Sequence, residues 1–332
     1  MAKKAEVKIF DNSNGNEEWE QEKVLTYEPM WELAYGANKQ QAAALFKTEG
    51  MADYEILNKE HKLTYNEIIS ITELSNILSE FYDVSAVAIV DHAAPCAVAL
   101  APNVQEAYTK AFDCDPMASF YGSFGFSKPV DYNVAEHLSS MSVRLVFAPD
   151  YEPEALEILQ ENSNTKIVKL NTPLEKYKAL MQKEIHITPF GTLYQDFNRS
   201  NLDKDSFKVV TNLKPTEEQI EDAVFAWKIS KYTRSNSIVI AKDFKTSAIA
   251  QGFISSVSAV ESALNTACDA AKEAIMVSDN TLLSTECIYA AAQNRVSVII
   301  QPGGCNNDSK LIEIADKYNI VMIFTGITNY KR

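Results

Sequence analysis

One histidine, His92, has the position and the neighbours of an acid–base group. It follows the apolar run 85–90, which predicts a buried strand, and residues 91–100 are expected to carry the chain from that strand towards a helix. In open α/β sheets, ligands bind beyond the carboxyl ends of parallel strands. An imidazole there can exchange a proton near neutral pH, and the adjacent carboxylate of Asp91 favours the charged ring. A solvated or merely structural histidine explains the position about equally well.

The composition excludes several classes of protein. The chain has 332 residues, of which 46% are apolar, enough for the core of two domains or of one large domain. Its net charge of -14 argues against a nucleic-acid or anionic-membrane partner. The five cysteines lack C-x-x-C spacing, so neither a metal site nor a disulfide framework is indicated. There is no apolar run of about 18 residues and no signal-peptide core, so we expect a cytoplasmic protein.

Strands and helices alternate along most of the chain, which predicts an α/β fold. Residues 1–25 are polar and turn-rich and are expected to form a loose lead-in. Asn66 is predicted to cap one helix, and a capping box of Thr216 and Gln219 opens another. The alternation of strands and helices repeats in two halves of the chain, which meet near residue 200. We therefore predict two α/β/α units, 26–200 and 201–332, of the kind that a duplication produces.

Several segments, in register along the chain, carry a resemblance to one family. In the second half they are the stretches 213–218, 225–228, 231–243, 277–279, 300–304 and 322–326. In the first half they are the stretches 33–41, 63–66, 148–156 and 195–196. From about residue 26 to the end, the chain resembles AICAR transformylase, the formyl-transfer domain of the bifunctional enzyme of purine synthesis.

The resemblance has implications for fold, partners and activity. It implies two cytidine-deaminase-like α/β/α subdomains without the deaminase zinc, and no other metal. Family members are intertwined dimers with active sites at the interface, which implies a homodimer or a heterodimer with an active transformylase. They transfer a formyl group from 10-formyltetrahydrofolate, the co-substrate, to the 5-amino group of the ribotide AICAR. The cyclohydrolase domain would precede this one, so we expect no ring closure to IMP.

The resemblance assigns His92 as the base that accepts a proton from the attacking amine. The family has Lys-His with Pro and a small residue after two further positions, and this chain has Asp91-His92-Ala-Ala-Pro95-Cys96. Asp91 therefore stands where the family lysine would support the folate leaving group and the developing negative charge. Replacing a cation by an anion at this place predicts impaired catalysis.

Other positions match the substrate-binding segments of the family. Asn236 corresponds to an asparagine that reads the carboxamide of the substrate; a turn asparagine is the alternative. Ser119 and Phe120 correspond to a Ser-Phe segment along substrate and folate, although Phe120 as core filling is nearly as good an interpretation. Tyr35-Gly36 matches the family's Tyr-Gly.

The basic residues that bind phosphate in the family are replaced. Ala34 stands in place of the arginine before Tyr-Gly, and Thr328 in place of a terminal arginine, while Tyr330 keeps an aromatic character. Neutral side chains cannot supply a charge-assisted contact to phosphate. Lys331 and Arg332 are close enough in sequence to substitute, but terminal basic residues are more often frayed and solvated.

The folate-binding segments are changed as well. Gly252 and Ser255 remain from the family's Gly-Gln-x-Ser-Arg, whereas Ser256 replaces its arginine. Asp279 and Glu286 match the acidic positions of the family's Ser-Asp-Ala-Phe-Phe-Pro-Phe-x-Asp, but Thr281, Leu282 and Leu283 make a poorer aromatic slot. The glycines of Gln301-Pro-Gly-Gly304 are interpreted as a structural turn.

Two functions are consistent with these residues. The first is a divergent AICAR formyltransferase that uses His92 and Asn236. The second is a catalytically degenerate member of the family that acts as a ligand-binding or regulatory partner. The loss of several charge-assisted contacts, each worth roughly 1.5–3 kcal/mol, favours the second, and the resemblance itself favours the first.

Overall fold

A computed structural model of the chain describes residues 5–11, 21–48, 50–58, 62–162, 164–180, 183–202 and 206–332. The helices within these ranges are α1 (Tyr65–Leu78), α2 (Val104–Phe112), α3 (Pro116–Ser119), α4 (Tyr132–Ser139), α5 (Pro153–Glu161), α6 (Leu174–Leu180), α7 (Glu217–Ser230), α8 (Ser256–Ala267), α9 (Thr285–Gln293) and α10 (Asp308–Lys317). In the described part of the chain, no helix has the length and apolar character needed to cross a membrane.

The described residues form three sheets. Their strands are β1 (Ala5–Asp11), β2 (Gln21–Leu33), β3 (Ala43–Lys47), β4 (Tyr54–Ile56), β5 (Ser85–Asp91), β6 (Ala94–Ala101), β7 (Ser123–Phe126), β8 (Leu145–Ala148), β9 (Lys166–Leu170), β10 (Lys183–Thr188), β11 (Gly191–Asp196), β12 (Lys208–Val209), β13 (Ile238–Lys242), β14 (Lys245–Ala250), β15 (Ile275–Ser278), β16 (Val298–Gln301) and β17 (Val321–Phe324). The main sheet has twelve strands in the order β12-β17-β16-β15-β13-β14-β6-β5-β7-β8-β9-β4, which confirms a mixed α/β fold.

The strand order is the same in both halves when it is read outward from the centre of the main sheet. On one side it runs β6-β5-β7-β8-β9-β4, and on the other β14-β13-β15-β16-β17-β12. In each half three strands run parallel, β7–β9 in the first and β15–β17 in the second. This agrees with two similarly built units joined through β6 and β14, whereas the likeness to cytidine deaminase stays a prediction.

The core is continuous across the two halves. On one face of the sheet, Leu74 and Ile77 of α1 belong to the same buried cluster as Phe225 and Trp227 of α7. The other face carries two clusters, one under α2, α4 and α5 and one under α8, α9 and α10. The sheet is therefore covered on both faces, as its continuous β-branched runs require.

A buried group of charges also joins the halves. The Glu80 carboxylate, only 1% exposed, accepts hydrogen bonds from Lys231 at 2.5 Å, Lys178 at 2.6 Å and the Tyr232 hydroxyl at 2.6 Å. Burial opposes ionisation of Glu80, but attraction by Lys231 and the hydrogen bonds outweigh it and hold its pKa below the ordinary value. Removal of one partner from such a group leaves an uncompensated buried charge.

The predicted connection after His92 is wrong. The chain does not pass from a strand towards a helix there, because β5 and β6 form an antiparallel hairpin in which Asp91 pairs with Ala94. His92 and Ala93 form its turn, with φ of 49° and 60°, a left-handed conformation that suits tight hairpins. The equivalent hairpin β13–β14 has the same turn at Asp243 and Phe244, with φ of 55° at both.

The position of His92 relative to the parallel strands also differs from the prediction. Since β5 runs antiparallel to β7, with Val90 opposite Ser123, the end of β5 lies beside the amino ends of β7 and β8. The second half has the opposite polarity in the sheet, because β14 runs antiparallel to β6. Ile238 at the start of β13 pairs with Ser278 at the end of β15. The carboxyl ends of β15–β17 therefore carry the Asn236 region.

Several local predictions can be compared with the structure. The capping box of Thr216 and Gln219 is confirmed at the start of α7. The cap of α1 is Thr64, which pairs with Glu67, and not Asn66, which lies within the first turn. In the expected N-terminal lead-in, β1 and β2 pair as antiparallel strands. Neither these strands nor the separate β10–β11 hairpin were predicted from the sequence.

Candidate functional site

Asp91, His92 and Arg144 lie together at the turn of the β5–β6 hairpin. Asp91 Oδ1 accepts the main-chain N–H of His92 at 2.9 Å and lies 3.2 Å from Arg144 Nη1. Its second oxygen, Oδ2, lies 3.5 Å from His92 Nε2. The His92 side chain is 79% exposed, while Asp91 is 25% exposed. The imidazole is thus open to a ligand, with a carboxylate on one side of the ring.

The Ser119–Phe120 segment borders this group. The main-chain N–H of Arg144 donates to Gly122 O, and that of Gly122 donates to Ser119 O, which ties the segment to the start of β8. The Ser119 hydroxyl is fully buried and has no hydrogen-bond partner within the described residues, so it does not face solvent. Phe120 is exposed, with its ring centroid 4.9 Å from that of Tyr121. Phe120 is therefore not core filling.

Asn236 lies on a loop, and the N–H donors of its side-chain amide already have hydrogen-bond partners within the protein. Its Nδ2 donates to Phe253 O at 2.9 Å and to Ile254 O at 3.2 Å. Its main-chain groups exchange hydrogen bonds with those of Phe253 as well. An amide offers two donors and one acceptor oxygen, so Oδ1 is the atom through which Asn236 can meet a ligand.

Asp279 holds this loop together from below. Its carboxylate accepts hydrogen bonds from the Ser235 hydroxyl and from the main-chain N–H of Ser237, the latter at 2.7 Å. Asp279 is 1% exposed, and burial raises the pKa of its carboxyl. Its geometry supports the loop, and the predicted direct contact with a folate would require the carboxylate to reach solvent.

The remaining predicted folate residues lie at two helix starts. Ser255 caps α8, since its hydroxyl accepts the Ser258 N–H at 3.1 Å, and Ser256 is the first residue of that helix. Gly252 adopts a φ of 75° and donates its N–H to Arg234 O at 2.7 Å. Glu286 is exposed in the first turn of α9.

Gln251 joins the two groups of predicted residues. Its Nε2 donates to Pro95 O at 2.8 Å, three residues beyond His92, and its Oε1 accepts the Arg234 N–H at 3.2 Å. The His92 hairpin and the Asn236 loop therefore lie at one end of the main sheet, which we call the His92 end and define by Asp91, Arg144 and Gln251. Sequence reasoning missed Arg144, Gln251 and the exposed Arg234, because nothing local marks such pairings.

The Tyr35–Gly36 segment lies apart from these contacts. Gly36 is buried in a turn closed by its N–H and Gln41 O, and Tyr35 is half-buried. No hydrogen bond or ion pair between described residues joins Tyr35 or Gly36 to the His92 hairpin. Ala34 is exposed.

The C-terminal residues meet the Asn236 loop, because the main-chain N–H of Ser235 donates to Lys331 O at 2.9 Å. They also line a cavity of about 720 Å³. Lys331 Nζ is bound by Glu73 at 2.7 and 2.8 Å, so it is not free to replace a phosphate-binding arginine. Arg332 lies over the ring of Tyr330, with its guanidinium carbon 5.7 Å from the ring centroid. Tyr330 is 57% exposed and Thr328 is exposed.

The Gln301–Gly304 segment agrees with a structural role. A Cβ on Gly303, whose φ is 72°, would lie 2.4 Å from the Phe324 ring. Asp308 Oδ2 accepts the Gly304 N–H at 2.7 Å, which places a carboxylate where an anion would have to bind.

These features define a mixed α/β protein of two similarly built halves, with a candidate site of histidine, carboxylate, guanidinium and amide groups where the halves join. The chain belongs to the AICARFT/IMPCHase bienzyme family, whose model matches residues 4–266.

Three relatives, each named bifunctional purine biosynthesis protein PurH, extend this match. The relative from Thermoanaerobacter sp. is 37% identical over 95% of this chain and 62% of its own length. The relative from Acetivibrio thermocellus is 35% identical over 98% of this chain and 64% of its own length. The relative from Caldicellulosiruptor bescii is 37% identical over 90% of this chain and 58% of its own length. The chain thus spans about three fifths of the length of these relatives.

Proposed function

We propose that this protein transfers a formyl group from 10-formyltetrahydrofolate to the amino group of AICAR. The observation that carries the proposal is the meeting of the His92 hairpin and the Asn236 loop through Gln251, in a chain of this family. The resemblance of the sequence lies in the formyl-transfer domain, and the matched family includes that activity in its name.

His92 is the proposed proton acceptor. In the reaction, the amino nitrogen attacks the formyl carbon, a new C–N bond forms, and the bond from that carbon to N10 of the folate breaks. The amine gives up one proton and N10 takes one up, so the protons balance. Because Nε2 of His92 faces the Asp91 carboxylate, Nδ1 is the nitrogen left to receive the amine proton.

The substrate groups can be matched to the side chains around His92. Asn236 Oδ1 is an acceptor for the N–H groups of a carboxamide, since its Nδ2 is engaged by Phe253 and Ile254. Phe120 and Tyr121 offer exposed aromatic surface to a pterin ring, and they take over from the family's aromatic slot. Arg234 is an exposed cation two residues before Asn236.

We also propose that the active form is a homodimer. Ile187, Phe190 and Leu193 on the β10–β11 hairpin are 85%, 101% and 59% exposed, although they are large and apolar. Such side chains at a protruding hairpin are typical of a protein–protein contact, and a second copy of this chain would bury them.

The test is an assay of purified protein with AICAR and 10-formyltetrahydrofolate, in which tetrahydrofolate is followed over time. We expect turnover by the wild-type protein and a loss of about 100-fold or more in His92→Ala, because a general base typically contributes that much. Asp243→Ala is the matched control, since Asp243 occupies the same turn position in the β13–β14 hairpin. Equal activity of His92→Ala and wild type would contradict the proposed role.

The alternative is a ligand-binding or regulatory subunit without turnover. Neutral Ala34, Ser256 and Thr328, together with the engagement of Lys331 by Glu73, favour it, because a phosphate then lacks several cationic partners. Calorimetry with AICAR distinguishes the two. Heat of binding without any tetrahydrofolate production would support the alternative, and turnover lost in His92→Ala would exclude it.

A further inference from the structure

Arg144 is the one cation that ion-pairs with the carboxylate of Asp91 in the described part of the chain. The pair joins the last residue of β5 to the residue just before β8, and β7 lies between these two strands in the sheet. The Arg144 side chain is 47% exposed, so it is neither buried in the core nor fully solvated. A guanidinium carries five N–H donors, so the contact through Nη1 leaves others that Asp91 does not engage.

The charges at this place can be summed from the three side chains. A lone carboxylate next to His92 would repel negative charge that develops on a reacting group. With Arg144 beside it, the negative charge of Asp91 is offset, and a guanidinium with free donors stands at the same end of the sheet as the imidazole. The positive charge that position 91 lacks in this sequence is therefore present in the structure, on the residue just before β8.

We propose that Arg144 supplies the positive charge of the His92 site and that Asp91 is the residue that positions it. The inference rests on the proposed formyl transfer. In that reaction the attack of the amine on the formyl carbon places negative charge on the formyl oxygen, and the free N–H groups of Arg144 bind that oxygen. When the C–N10 bond breaks, an electron pair of the oxygen re-forms the C=O bond, and the oxygen loses its negative charge. The electrons of the C–N10 bond leave on N10, which takes up a proton, and Arg144 releases the neutral formyl oxygen.

Asp91 fits a positioning role because each of its oxygens has a defined neighbour. Oδ1 holds the main-chain N–H of His92 and Arg144 Nη1, and Oδ2 faces the imidazole. One carboxylate thereby fixes the turn, the ring and the guanidinium relative to each other. An aspartate at position 91 then means that the cation of the site has moved to the residue just before β8, and not that it is lost.

The test compares steady-state formyl transfer by single and paired variants of the full chain. Arg144→Gln is expected to lower kcat by about 100-fold with KM changed less than about threefold, as for removal of a donor to a developing oxyanion. Arg144→Lys should recover part of the activity relative to Arg144→Gln, because a lysine keeps the positive charge but lacks the planar set of guanidinium N–H donors. Arg295→Gln, at an exposed arginine near the start of β16, is the matched control.

A charge-reversal cycle tests the positioning role. Asp91→Lys alone places two cations side by side, and Arg144→Asp alone places two anions there, so both should be impaired. The double variant Asp91→Lys/Arg144→Asp restores an opposite pair and is expected to exceed Asp91→Lys by about tenfold or more. Thermal unfolding of every variant confirms that each is folded.

The outcomes separate this inference from the proposed function. Arg144→Gln within twofold of wild type, with His92→Ala inactive, would overturn the role of Arg144 and leave the formyl transfer intact. A double variant no more active than Asp91→Lys would overturn the positioning role of Asp91. Absence of turnover in the wild-type protein would contradict the proposed function and this role together.

Discussion

Gln251 Nε2 donates to the main-chain oxygen of Pro95 at 2.8 Å, across 156 positions of sequence. The same amide accepts the main-chain N–H of Arg234 through Oε1. One side chain thus connects the hairpin that carries His92 to the loop that carries Asn236. The two halves of the sheet meet at β6 and β14, and Gln251 extends that contact beyond the last residue of β14.

Gln251→Ala is therefore expected to lower the rate of formyl transfer markedly while lowering the free energy of unfolding only slightly. Loss of hydrogen bonds at a half-buried position should lower the free energy of unfolding by only about 1 kcal/mol. Formyl transfer should fall by about tenfold or more in kcat/KM, because small displacements between catalytic groups are costly. Urea unfolding and steady-state assays measure the two effects. Gln293→Ala, at the exposed end of α9, should change neither, and unaltered kcat/KM in Gln251→Ala would contradict the positioning role.

The buried charges around Glu80 predict a large effect on stability. Glu80→Gln keeps the shape of the side chain but removes the negative charge that faces Lys231 and Lys178. We expect a loss of about 3–5 kcal/mol in the free energy of unfolding, since the buried ammonium of Lys231 is left without a charged partner. Urea denaturation provides the measurement, with the exposed Glu157→Gln as control. A loss no larger than that of the control would show that the group contributes little.

The lowered pKa of Glu80 also predicts a pH dependence. Between its folded pKa and the ordinary value of 4.5, the unfolded chain binds more protons than the folded one. The stability that Glu80 contributes is therefore fully present above pH 4.5 and is lost as the pH falls through the folded pKa. The buried Asp279 carboxyl has a raised pKa and acts in the opposite direction, so wild type alone cannot isolate the effect.

A comparison of wild type with Glu80→Gln cancels the contribution of Asp279, which is the same in both proteins. The difference in their free energies of unfolding should be largest above pH 4.5 and should shrink as the solution is made more acidic. Urea unfolding at several pH values between about 3 and 6 measures it. A difference that stays constant across this range would mean that Glu80 ionises alike in the folded and unfolded chain.

The exposed β10–β11 hairpin predicts the site of dimer contact. The double variant Ile187→Asp/Phe190→Asp places charges on side chains that are almost fully exposed in the single chain, so its fold should be unaffected. We expect wild type to sediment as a dimer and this variant as a monomer, because charges oppose burial of the hairpin. Leu213→Asp, on the loop between β12 and α7, is the control. A variant that remains dimeric would place the contact elsewhere.

Local patterns predicted much of the secondary structure. The capping box of Thr216 and Gln219 involves residues three positions apart, so its side chains meet whenever the helix forms. The His92 hairpin was missed because the short apolar run after it suits a strand or a helix, and only pairing with β5 and β14 decides between them.

The sequence by itself determined the alternation of strands and helices and the family, since each depends on residues close together in the chain or on motifs in register. It also showed that position 91 carries an acid in place of a base. Only the tertiary structure decided which groups that acid contacts. Arg144 and Gln251 reach the His92 end because β8 begins there and β14 ends there. Their contacts join residues far apart in sequence. Such contacts depend on the order and direction of strands in the sheet, which no local pattern specifies.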